Sequence, residues 1–154
     1  MTLRLYAQVS EQIYAHLSRA YPEEGCGVLL GRDRGDTREV ARAVPIQNRR
    51  EDSKHNRYLI APEQLLAADR EARVAALDVV GFFHSHPDHP ALPSSFDLEH
   101  AWPFYSYMIV SVEHGQATDM QVWRLAEDRS GFEPETLEVL SEEHTLGQEG
   151  ESRA

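Results

Sequence analysis

The stretch Gly81-Phe82-Phe83-His84-Ser85-His86-Pro87-Asp88-His89-Pro90-Ala91-Leu92-Pro93-Ser94-Ser95-Phe96-Asp97 decides the fold. The apolar run Val79 to Phe83 reads as the end of a buried strand. On a strand, residues i and i+2 point to one side, so His84 and His86 face a common point. Pro87, Pro90 and Pro93 oppose regular structure, which forces a turn. Ser94 and Asp97 then open a short helix expected over Ser95 to Trp102. Two neutral imidazoles and one carboxylate make a catalytic zinc set, with a fourth position left for water.

The same residues admit other readings. Ser94-x-x-Asp97 has the spacing of a capping box, in which the hydroxyl takes a helix N–H and the acid reaches back. His84-Ser85-His86-Pro87-Asp88-His89 also fits a His-x-His-x-Asp-His pattern that resembles the metallo-β-lactamase superfamily, a dinuclear alternative.

Outward from this centre, the chain reads as a mixture of strands and helices. Leu3 to Val9 alternates as a short strand, and Ser10 offers an N-cap to a helix carrying Ile13, Tyr14, Leu17 and Tyr21, ending near Pro22. Cys26 to Leu30 reads as a buried strand and Gly31 to Asp36 as a hairpin turn. Val40 to Ile46 is the return strand, with Pro45 marking an edge or a bulge. Asn48 to Lys54 is a polar connection, and Arg57 to Ala61 a short strand. Pro62 suits the first position of a helix whose stripe is Leu65, Ala68, Ala72, Ala75 and Ala76, ending near Leu77. Asp78 to His84 forms the central strand, followed by strands at Tyr105–Val112 and Met120–Leu125 around a turn at Glu113–Thr118. Phe132 to Leu140 adds an edge strand, and the acidic residues from Ser141 on read as a disordered tail. The expectation is an α+β (mixed α/β) domain over residues 1–140, with a tail over 141–154.

Composition narrows the function. A length of 154 residues suits one domain, and such a domain buries roughly 68–70% of its extended surface. The net charge of −11 repels phosphates and disfavours nucleic acid as a partner. With a single cysteine, Cys26, neither an intramolecular disulfide nor a Cys-rich zinc site can form. Cys26 reads as a small buried core residue. No apolar run suggests a signal peptide or a membrane helix, so the expectation is a cytoplasmic protein with no membrane partner.

A hydrolase of the zinc type needs a base that is not itself a ligand. An acid just before a buried strand, in Pro22-Glu23-Glu24-Gly25-Cys26-Gly27, can lean over a neighbouring strand end, although acids in such places are usually solvated. The pieces together resemble the JAMM (MPN-plus) metallopeptidase family: an upstream glutamate, His-x-His, seven residues, Ser, two residues, Asp. Glu24-Gly25-Cys26-Gly27 matches the family's Glu-x-Cys-Gly and selects Glu24 over Glu23. Trp102-Pro103 and Tyr105 to Val112 are similar to the small bacterial branch, and the resemblance runs from about Leu3 to Leu125.

The resemblance implies an MPN (cytidine-deaminase-like) fold: a mostly antiparallel central sheet, two main helices and a short helix after the metal loop. It implies that His84, His86 and Asp97 bind one zinc ion per chain, that Glu24 is the general base, and that Ser94 donates to the oxyanion. It implies cleavage of a peptide or isopeptide bond after the C-terminal Gly-Gly of a ubiquitin-like protein, a sulfur carrier of the ThiS/MoaD type above all. A homodimer is compatible with the sequence. Asp88 and His89 then become loop residues at the mouth of the site, closer to substrate than to metal. The metallo-β-lactamase alternative needs further ligands downstream, where only His100, His114 and His144 remain, and gives Glu24, Ser94 and Asp97 no role. A non-catalytic MPN scaffold would leave the whole set idle.

Overall fold

Strand β4 (Asp78–Pro87) runs through the middle of the sheet, paired on one side with β2 (Cys26–Asp33) and on the other with β5 (Ser106–Glu113). A strand with neighbours on both edges and helices on both faces is buried over most of its length, here from Val80 to Pro87 with Phe82 partly covered. That is why its sequence, Asp78-Val79-Val80-Gly81-Phe82-Phe83-His84, is apolar rather than alternating. The computed structural model describes residues 1–48, 50 and 58–141.

The remaining elements are β1 (Thr2–Tyr6), α1 (Ala7–Ala20), β3 (Thr37–Ile46), α2 (Pro62–Val74), α3 (Ser95–His100), β6 (Gln116–Leu125) and β7 (Phe132–Leu140). The strands join in the order β1-β3-β2-β4-β5-β6-β7, and β7 returns to β1 to close a barrel. Pairs β2/β3, β2/β4, β5/β6 and β6/β7 are antiparallel. Pairs β1/β3, β1/β7 and β4/β5 are parallel. The mixed, mostly antiparallel sheet with two main helices and a short third one is the expected architecture.

The two faces of β4 carry different cores. Phe83 points with Leu29 and Met108 toward α1, whose Val9, Ile13 and Leu17 pack there. Phe82, with Val28 opposite it, and Cys26, opposite His84, face α2. Helix α2 offers Ala68 and Ala72, and their small side chains let the helix lie close to the sheet. His84 and His86 share the parity of Phe82, so the site opens on the α2 side. Gly27 lies flush beneath Phe83: a Cβ there would collide with the Phe83 ring and with the Val44 carbonyl.

Several boundaries differ from the sequence reading. Strand β1 stops at Tyr6 and α1 begins at Ala7, so Ser10 is not the N-cap. The Ser10 hydroxyl instead donates to the Ala7 carbonyl at 2.7 Å, inside the helix. Strand β2 continues to Asp33 and shortens the hairpin turn. Helix α2 ends at Val74 rather than near Leu77, and α3 ends at His100 rather than Trp102. Of the expected strand at Arg57–Ala61, the described residues Tyr58 to Ala61 form no strand, and Arg57 lies outside the described residues. Strand β7 matches the expected span but is not an edge, because β1 and β6 hold it on both sides. Pro45 stands beyond Val40, the last β3 residue paired with β1, so its missing N–H breaks no ladder on that side. The expected tail lies outside the described residues beyond Ser141. Among the described residues no helix is long and apolar enough to cross a membrane.

Candidate functional site

Three elements and two turns build the site. Strand β4 supplies His84 and His86. Beyond Pro87 the chain reverses at Asp88, which takes a positive φ of 58° and donates its N–H to the Val112 carbonyl at 2.8 Å. The turn leads to α3, where Ser94 and Asp97 cap each other. The Ser94 N–H donates to Asp97 Oδ2 at 2.9 Å, and the Asp97 N–H donates to Ser94 Oγ at 3.0 Å. The capping reading of Ser94-x-x-Asp97 is therefore present, and it aims the Asp97 carboxylate back at the histidines.

The convergence is tight. His84 Nε2 lies 3.2 Å from His86 Nε2. His84 Nε2 is 3.1 Å from Asp97 Oδ1, and His86 Nε2 is 3.1 Å from Asp97 Oδ2. The His86 Nδ1–H donates to the Pro90 carbonyl at 2.9 Å. A carbonyl only accepts, so the hydrogen sits on Nδ1 and the Nε2 lone pair faces inward. Lone pairs and a carboxylate crowding one point repel each other unless a cation sits among them. His84, His86 and Asp97 thus form a group that could bind a metal. The ligand edges of a tetrahedral zinc site are about 3.3–3.4 Å, from Zn–N lengths of about 2.0–2.1 Å, and the donor spacing here fits that.

His84 is held differently. Its Nδ1 is buried and has no hydrogen-bond partner among the described residues. Instead the Tyr58 ring stacks on the imidazole, centroids 4.6 Å apart and planes inclined by 24°. Burial alone would raise the Asp97 pKa, but with a proton on the imidazole nitrogens that face it, in place of a cation, the charge of His84 and hydrogen bonds from His84, His86 and the Ser94 N–H outweigh it. The carboxyl is held well below the usual range.

Glu24 comes to the same place by strand register. Cys26 pairs with His84, and the Ser85 N–H donates to the Gly25 carbonyl at 3.1 Å, extending the ladder one step. One step further, Glu24 stands beside His86 on the face that carries both imidazoles. Its side chain is 5% exposed. Burial first, and then the Asp97 charge, push its pKa up to about 9. Such a carboxyl is poised to hold a proton, and nearby positive charge would release it. Cys26 is fully buried, and burial pushes its thiol up to about 12, as expected for an inert core residue.

Sequence reading placed Asp88 and His89 at the mouth of the site. In the structure the Asp88 side chain and the His89 backbone brace the turn. The Asp88 carboxylate accepts from the Tyr21 hydroxyl and from the His114 N–H at 2.8 Å, and the His89 carbonyl accepts from Ser111 Oγ. Neither belongs to a metal-binding cluster among the described residues, which gives the dinuclear alternative no second set of ligands. Residues the sequence did not single out are Asn48, Tyr58 and Ser85, whose Oγ accepts the Gly25 N–H at 2.8 Å. Asn48 and Tyr58 read as connection and strand, with no motif to mark them.

A cavity of about 290 Å³ opens beside the cluster. His84 and Asp97 form part of its wall, Tyr58, Phe82, Trp102 and Tyr107 supply an aromatic part, and Arg50 and His100 also line it.

Residues 6–126 match the family described as prokaryotic homologs of the JAB domain. The chain belongs to the prokaryotic JAB family. Within it, the chain is 36% identical over 114 residues to the desampylase of Haloferax volcanii, covering 71% of this chain and 80% of that protein. It is 29% identical over 133 residues to the CysO-cysteine peptidase of Mycobacterium tuberculosis, covering 86% of this chain and 88% of that protein. A solved structure from Desulfitobacterium hafniense superposes with a TM-score of 0.79 at 32% identity, covering 91% of this chain and 94% of that one. The JAB match spans β4, the turn and α3, so it contains the whole cluster.

Proposed function

We propose that the chain is a zinc metallopeptidase that hydrolyses the bond after the C-terminal Gly-Gly of a ubiquitin-like protein, a sulfur carrier of the ThiS/MoaD type. One observation carries the reading: two imidazole nitrogens and a carboxylate converge within 3.2 Å, with the buried Glu24 two residues beyond the ladder pair Cys26–His84. The names of the relatives, a desampylase and a peptidase for a cysteine adduct of CysO, support this substrate class.

His84, His86 and Asp97 would hold the ion, and three protein donors leave one position for water. When bound, zinc lowers the pKa of its water toward ~7 and polarises the substrate carbonyl. Glu24 takes the proton of the attacking water on its carboxylate and gives it to the leaving amine. Ser94 Oγ accepts the Asp97 N–H, which leaves its own hydrogen free to donate to the carbonyl oxygen as that oxygen gains charge. An extended Gly-Gly tail has no side chains and can thread a narrow groove by backbone pairing. The aromatic cavity then receives the apolar part of the substrate beside the scissile bond.

We assign this activity to residues 1–140 and place the protein in the cytoplasm, in keeping with its single cysteine. The scaffold alternative leaves the convergence of His84, His86 and Asp97 without a purpose. The test is direct. Incubate the protein with Gly-Gly carriers bearing C-terminal extensions, with zinc or with chelator, and weigh the products. Zinc-dependent cleavage after Gly-Gly is the expected result. Intact substrates at every metal concentration would leave the scaffold reading standing.

A further inference from the structure

The ladder between β2 and β3 ends at the pair Cys26 and Ile46. Continued by two residues on each strand, the same antiparallel register sets Glu24 opposite Asn48. There the side chain of Asn48 takes over from the backbone. Asn48 Nδ2 donates to the Glu24 carbonyl at 2.9 Å. Asn48 Oδ1 accepts the Leu59 N–H at 2.9 Å and the Arg50 N–H at 2.9 Å. Leu59 follows Tyr58, whose ring lies on His84. One carboxamide thus ties the backbone of the buried acid to the segment that covers a member of the metal cluster.

We propose that Asn48 is a positioning residue, fixing Glu24 relative to the His84–His86 pair by bridging the backbones of Glu24 and Leu59. The inference rests on the reading of Glu24 as the base. Glu24 lies outside β2, past the last regular ladder pair, so its backbone lacks the support a strand interior would give. From the β4 side the Ser85 hydroxyl holds the next residue, Gly25, through its N–H. From the β3 side the Asn48 amide holds Glu24 itself. A base displaced by about 1 Å loses on the order of 10²-fold in rate, so such a clamp matters more for turnover than for folding.

The chemistry of Asn at this position is specific. A carboxamide donates from its nitrogen while its oxygen, on the other arm of the group, accepts two N–H groups, so donor and acceptors reach opposite sides. Asn48→Asp keeps the acceptors and loses the donor. Asn48→Ala loses both and adds no charge.

The experiment uses full-length protein in two states. In the metal-free state, hydrogen exchange is read on peptides spanning residues 22–28, with peptides from β5 as the internal control. In the zinc-loaded state, kcat, KM and the pH profile are measured on a Gly-Gly-extended carrier, and zinc affinity is measured by competition with a chromophoric chelator. Asn48→Asp is expected to speed exchange around Glu24 at least about tenfold and to leave the β5 peptides unchanged. It should lower kcat about 10–100-fold with KM within about twofold, and keep wild-type zinc affinity. Asn48→Ala should lower kcat similarly without moving the acid limb of the pH profile, which separates lost positioning from added charge. It should also weaken zinc binding, because Tyr58 is released. Wild-type exchange around Glu24 in both variants, or wild-type kcat, overturns the proposal. If the wild-type protein cleaves no carrier, the function proposed above fails, and the exchange data alone decide the role of Asn48.

Discussion

Ser94 and Asp97 exchange two hydrogen bonds, N–H to Oδ2 at 2.9 Å and N–H to Oγ at 3.0 Å, and Oδ2 is also the oxygen that faces His86. The cap of α3 and the aim of a metal-ligand candidate are one arrangement. Ser94→Ala should therefore stay folded, losing about 0.5–2 kcal/mol of cap stability. It should also lose about 2.7–4 kcal/mol of transition-state stabilisation if the hydroxyl donates to the oxyanion. Zinc titration separates the roles. A rate loss with unchanged zinc affinity supports the donor role, whereas rate and affinity falling in step would reduce Ser94 to a cap.

Glu24→Gln keeps the shape of the side chain and removes its basicity. Its zinc content should match wild type while cleavage falls about 10²–10⁴-fold. Metal analysis and product masses on the same preparation check this. Cleavage at the wild-type rate would mean that the base is another group.

The raised pKa of Glu24 also makes a prediction for the metal-free protein. Its folded value is about 9, against an ordinary value of 4.5. Between these pH values the folded chain retains a proton that the unfolded chain has released, so stability falls as pH rises across the window. Below it the group costs nothing. Metal-free Glu24→Gln should be more stable than wild type at pH 8, by about 1–3 kcal/mol, or roughly 2–4 °C in Tm per kcal/mol for a chain of this size. The two should converge near pH 4. Parallel Tm curves from pH 4 to pH 8 would show that the carboxyl is not held in this environment.

Removing a ligand should abolish the response to metal. Zinc at about 100 times its Kd should stabilise wild type by about 2.7 kcal/mol, and Asp97→Ala should lose most of that rise in thermal melts. Asp88→Ala breaks the bonds to Tyr21 and His114 but touches no member of the cluster, so it should still take up one zinc ion per chain. Two ions in wild type, or loss of zinc in Asp88→Ala, would restore the dinuclear alternative.

Packing at Gly27 is checkable without any substrate. Gly27→Ala drives a methyl group into the Phe83 ring and the Val44 carbonyl and should cost about 1–3 kcal/mol. Phe83→Leu in the same chain should recover part of the loss, read as a coupling in denaturant melts.

The sequence alone carried the strand that ends in His84-Ser85-His86, because a strand covered on both faces must be apolar and its period of two sets the histidine pair on one side. It also carried the spacing to Ser94 and Asp97, because a capping box is a local event spanning four residues. Pro62 at the head of α2 was legible for the same reason: one residue fixes one backbone angle.

What the sequence did not carry is long-range. The start of α1 was misread because packing of Val9 against the barrel, rather than the cap preference of Ser10, decides where the helix begins. Closure of the barrel through β7 and β1 depends on residues more than a hundred positions apart. Asn48 and Tyr58 stand in a polar connection, and nothing local marks them. Their roles exist only because the β2–β3 register sets one opposite Glu24 and tertiary packing lays the other on His84. Local chemistry thus named the candidates for the site, while strand register, which no short window of sequence contains, decided which backbone brings the acid to the imidazoles and what holds it there.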